Sequence, residues 1–67
     1  MLNQENIAKA LLDYRADKRA TQEDVSNGSG ISLSTIRHIE SGAKKAQFLT
    51  IHKLQRFFDK VGFKVND

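Results

Sequence analysis

The segment from Thr21 to Gly42, TQEDVSNGSGISLSTIRHIESG, sets capping and turn residues at offsets that fit two short helices around a tight reversal. Thr21 stands at an N-cap position, and Asp24 three residues later completes a capping box. Gly30 falls where the chain must turn back, and a residue without Cβ accepts a positive φ there. Ser32 is placed to cap a second helix running to about Ser41, which Gly42 ends as a left-handed C-cap. Val25, Ile31, Ile36 and Ile39 are the apolar residues that lock this pair to each other and to the remaining core. Ser26 is small, as a side chain must be where two helices cross closely. Asn27 and Gly28 are poorer helix formers than Ala by roughly 0.6–1 kcal/mol each, so the first helix is expected to be short or soft near its end.

The flanking sequence completes a helical body. Asn3 is a candidate cap for a helix over about residues 4–17, in which Ile7, Leu11 and Tyr14 recur at i, i+4 and i+7. Residues 43–47 read as a loop. A further helix follows from about Phe48 to Lys60, with Ile51, Leu54, Phe58 and Val61 at helical spacing and Phe57 widening the buried face. Gly62 stops it, and the alternation Phe63-Lys64-Val65 predicts a short strand. No second strand candidate exists in the chain, so a strand here has to pair with a second copy.

Sixty-seven residues make one domain, 1–67, whose small core no disulfide supplements, because cysteine is absent. Association with a second copy is the expected supplement, through a segment of about residues 57–67 in which Phe63 and Val65 are the dimerisation candidates. No run approaches the roughly 20 apolar residues of a membrane span, and the first residues lack the basic-then-apolar order of a signal peptide. A soluble cytoplasmic protein is expected, with no membrane partner. The net charge of +3 is unevenly spread. The excess falls on Arg37, Lys44, Lys45, Lys53 and Arg56, opposed within residues 31–56 by Glu40 alone. Such a stripe suits a polyanion.

The central segment resembles the helix-turn-helix of the phage-repressor (Cro/cI, or XRE) family of bacterial DNA-binding proteins. Gln22-Glu23-Asp24-Val25-Ser26 is similar to that family's Q-E-E-L-A opening, and Gly30-Ile31-Ser32 to its G-V-S turn. Ser34-Thr35-Ile36 and Ile39-Glu40-Ser41-Gly42 are similar to its S-T-I and I-E-N-G. The likeness runs from about residue 6 to residue 58. It departs at Ser26, where Ala is usual, at Ser29, often apolar, and near Ala46, where proline is frequent. Phe57 to Val65 is similar to a family ending that leads from a helix into a strand.

The resemblance implies an all-α, lambda-repressor-like domain of four to five helices, with a short C-terminal strand as a possible addition. It implies that Leu33, Ser34, Thr35 and His38 face the major groove, with Arg37 at their flank. The chemistry agrees: Arg37 can fork onto guanine or grip a phosphate, Ser34 and Thr35 carry short hydroxyls, and Leu33 suits a thymine methyl. Gln22 and the N–H groups beside it are candidates to hold a phosphate, with Thr21 and Ser41 at further backbone-touching positions. Lys44 and Lys45 are candidate electrostatic clamps. Arg15 and Glu40 fall where the family commonly bridges its first and recognition helices, a structural pair.

The function implied is sequence-specific regulation of transcription, most simply repression, by a homodimer on a palindromic double-stranded operator. Two related roles stay open: an antitoxin that binds a toxin protein and its own operator, and a restriction–modification controller. Catalysis is not expected. His38 and His52 lie on separate predicted helices without an acid at useful spacing, and no phosphate-cradling loop or metal-ligand cluster is visible, so neither cofactor nor metal is expected.

Overall fold

The computed structural model describes residues 1–42 and 45–65. Four helices follow in order: α1 (Ile7–Lys18), α2 (Gln22–Ser29), α3 (Leu33–Ser41) and α4 (Phe48–Val61). Local chemistry explains each boundary. Asn3 caps the turn that precedes α1, its Oδ1 accepting from the N–H groups of Glu5 and Asn6 at 2.8 and 2.9 Å. Regular α-helix therefore begins three residues later than the expected position 4. α1 ends on Arg19, whose φ of 52° is left-handed although it carries a Cβ. Thr21 and Asp24 form the expected reciprocal capping box. Gly30 and Gly42 close α2 and α3 at φ of 75° and 71°.

The core lies where the apolar stripes meet. Leu11, Val25, Ile36, Leu54 and Phe58 are fully buried, and Ile7, Tyr14, Ile31, Ile39 and Phe57 complete the cluster. The rings form a nest around Tyr14, with centroids 5.3 Å from those of Phe57, Phe58 and Phe63. Burial, with a smaller contribution from Asp24, pushes the Tyr14 hydroxyl above its ordinary pKa. Three core members lie outside the helices: Leu2 ahead of α1, Ile31 in the α2–α3 turn and Ala46 in the α3–α4 connection.

Four helices stand among the described residues, within the expected four to five. Two expectations need correcting. Residues 63–65 form no strand. Phe63 instead folds back: its N–H donates to the Phe58 carbonyl at 2.9 Å, and its ring packs on Phe58 at 4.9 Å. A ladder needs a second strand, and the ring has a closer apolar partner in its own core. Val61, expected in the buried face of α4, is 38% exposed at the last position of the helix, while Leu54, Phe57 and Phe58 form its buried face.

Gly28 has a packing reason that its helix propensity hides. A Cβ built there would lie 2.5 Å from Cε1 of Phe57 and 3.2 Å from two further ring atoms. Gly28→Ala should gain about 1 kcal/mol of propensity, but displacing a ring wedged against Tyr14 costs about 1–3 kcal/mol. The net expectation is a lower urea midpoint. With Phe57→Leu already in place, the same substitution should become stabilising. A stabilising Gly28→Ala in the unaltered background would refute this steric account.

Candidate nucleic-acid interface

The α2–α3 pair is held by bonds that aim α3 outward. Ser26, small as the crossing demands, also donates from Oγ to the Ile31 carbonyl at 2.6 Å, tying α2 to the turn. Ser29 Oγ donates to the Val25 carbonyl and accepts from the Ile31 N–H. Ser32 caps α3, accepting from the Thr35 N–H at 3.2 Å. With Ile36 and Ile39 pointing into the core, helical geometry leaves Ser34, Arg37, His38 and Ser41 outside.

Those outside positions are the ones that the sequence singled out. Ser34, Arg37, His38 and Ser41 are exposed, and Leu33 and Thr35 are half-buried. Thr21 is exposed at the start of α2, although its Oγ1 accepts the capping bond from Asp24. Ser41 Oγ donates to the His38 carbonyl at 3.0 Å. Lys45 is exposed; Lys44 lies outside the described residues.

Arg15 and Glu40 do pair. Arg15 Nη1 donates to both Glu40 oxygens at 2.7 and 2.9 Å, and its Nε donates to the Ala20 carbonyl at 3.0 Å. Glu40 is only 9% exposed and Arg15 29%. The pair extends further than expected. Gln22 Nε2 donates to Glu40 Oε1 at 2.9 Å, and Gln22 Oε1 accepts from Arg37 Nε at 3.4 Å. Gln22 thus links the structural pair to Arg37, and in this arrangement its amide is engaged within the protein. One network spans α1, α2 and α3, with the exposed Arg37 guanidinium at its outer end.

A cleft of about 230 Å³ separates α3 from the start of α4, lined by Thr35, His38, Lys45, Gln47 and Thr50 among others. Helix α4 begins without a side-chain cap from Gln47. Hydroxyls, an imidazole and an ammonium therefore share one concave, polar surface beside the exposed face of α3. That combination suits phosphate and base-edge contacts. Beside it, Phe48 and Leu49 are 84% and 58% exposed.

Charge counting alone missed how the later cations divide. Lys53 and Arg56 do not join Lys45. With Lys60 they line a separate groove of about 410 Å³, between α4 and the end of α2 at Gly28 and Ser29. Their i, i+3, i+7 spacing on one helix was the available signal.

The helix-turn-helix family model matches residues 11–64, which takes in all of α2, α3 and α4 and most of α1. No curated protein matches the chain. No solved structure matches it either. Among the described residues, no helix is long and apolar enough to cross a membrane.

Proposed function

This chain belongs to the helix-turn-helix family, as a DNA-binding regulator of the Cro/cI (XRE) type, and from that premise we propose sequence-specific repression by a homodimer on a palindromic operator. The observation that carries the reading is the outward face of α3. Ser34, Arg37 and His38 are exposed on a helix whose opposite residues, Ile36 and Ile39, are buried. In this reading Leu33, Ser34, Thr35 and His38 meet base edges, and Arg37 forks onto a guanine or its flanking phosphate. Thr21, Ser41, Lys44 and Lys45 hold the backbone on either side. Gln22 steers Arg37, and the N–H groups beside it at the start of α2 can hold a phosphate.

A dimer suits a domain of 67 residues with exposed Phe48 and Leu49. Two recognition helices would then read half-sites about 34 Å apart, one turn of duplex. Phe63 and Val65 both pack against the protomer's own core, so the exposed Phe48 and Leu49 are the better candidates for the seam.

Selection from random duplex DNA at two salt concentrations tests the whole reading, and a palindrome is the expected product. Two variants then separate the roles. Arg37→Ala should lose about 1–3 kcal/mol of discrimination at one base position. Lys45→Ala should weaken binding to every sequence and flatten the log–log salt slope by about 0.9. Equal losses by Arg37→Ala on selected and random duplexes would remove its base-reading role. Selection of single half-sites would remove the dimer.

A further inference from the structure

We propose that Gln4 is a positioning residue for DNA binding: its amide grips both backbone groups of Ala46 and so sets where Lys45 stands against α3. The inference rests on the reading of Lys45 as a phosphate clamp. Gln4 Oε1 accepts from the Ala46 N–H at 2.9 Å, while Gln4 Nε2 donates to the Ala46 carbonyl. A primary amide that meets both groups of one residue acts as a short piece of β-ladder, fixing the position and the orientation of that peptide. Lys45 is the adjacent residue, and it lines the same cleft as Thr35 and His38.

The grip itself is anchored. Asn3 caps the turn that contains Gln4, Leu2 is buried, and the Leu2 N–H donates to Gln55 Oε1 on α4 at 2.9 Å. Ala46 is buried at the other end of the contact, so neither side of the bond pair is free to wander. At the exit of the α3–α4 connection the Gln47 side chain makes no capping bond to α4. Alanine at 46 matters as well, since proline there would have no N–H to offer Gln4. Gln4 also lies ahead of residues 11–64, so the matched family pattern does not include it.

An alternative role is stability alone, and salt dependence tells the two apart. Binding of the intact chain to its selected duplex is measured across a salt series for the parent, Gln4→Met, Lys45→Ala and the double variant. Met keeps the length and apolar stem of Gln but can make neither bond. The parent slope should flatten by about 0.9 in Lys45→Ala, and by most of that amount in Gln4→Met. The double variant should flatten no further than Lys45→Ala. Amide hydrogen exchange at Ala46 should quicken in Gln4→Met. Gln4→Asn, too short to reach both groups, carries the same expectations if the Met variant does not fold.

A Gln4 variant that melts earlier yet keeps the parent slope overturns the proposal, as does full additivity with Lys45→Ala. An unchanged slope in Lys45→Ala removes the clamp reading and this inference with it. A parent protein that binds no duplex removes the proposed function itself.

Discussion

Replacing Phe58 by Ala is expected to destabilise the domain by about 3–5 kcal/mol, enough to leave much of the population unfolded at 25 °C. Phe58 is the largest fully buried side chain. Its ring meets Tyr14 of α1 at 5.3 Å, Phe57 of α4 at 6.0 Å and Phe63 of the C-terminal segment at 4.9 Å. Truncation therefore removes apolar burial and three ring contacts together, and the neighbours cannot all collapse toward one vacancy. A domain of 67 residues has a total stability of about 3–10 kcal/mol, so the loss is comparable with the whole. Urea denaturation followed by far-UV circular dichroism checks it. Phe58→Leu should retain a cooperative transition at a cost of about 1 kcal/mol. A Phe58→Ala midpoint within 5 °C of the parent in a thermal scan would show that the ring nest is not the anchor of the fold.

Much of this architecture was legible because each α2–α3 signal acts over a few residues. Thr21 and Asp24 satisfy one another's backbone groups, Ser32 satisfies the Thr35 N–H, and Gly30 and Gly42 adopt left-handed conformations. None of these needs a distant partner, so reading them from spacing works. The outward set on α3 was legible for the same reason. Once Ile36 and Ile39 are inside, 3.6-residue periodicity fixes Ser34, Arg37 and His38 outside.

What stayed hidden depends on residues far apart in the chain. Nothing near Gly28 announces Phe57, 29 positions later, so a residue that looked merely like a poor helix former is in fact demanded by a ring. Gln4 and Ala46 are 42 positions apart, and each alone looks like an unremarkable polar or small residue. The C-terminal alternation misled for a related reason. Phe63-Lys64-Val65 has strand periodicity, but Tyr14 and Phe58 offer Phe63 an apolar site within the same protomer. The Arg15–Glu40 pair came from resemblance, and its extension through Gln22 to Arg37 appeared only in three dimensions.

That network supports the second large expected effect. Glu40→Ala should destabilise the protein by about 3 kcal/mol, at the lower end for a broken buried pair because Arg15 retains partial solvent access. Arg15 would keep its bond to the Ala20 carbonyl but lose its counter-charge, and the Gln22 amide would lose its acceptor. A thermal midpoint about 12–24 °C lower is expected for a domain of this size. The Arg15→Met, Glu40→Leu double variant separates charge desertion from loss of the pair itself. It buries no unpaired charge, so it should recover most of the stability. It would not restore the acceptor for Gln22, so the Arg37 side chain would still lack its steered position. Recovered stability together with persistently reduced discrimination at the base read by Arg37 is therefore the expected combination. If the double variant regained both, the network would be a stability device alone, and Gln22 would have no part in aiming Arg37.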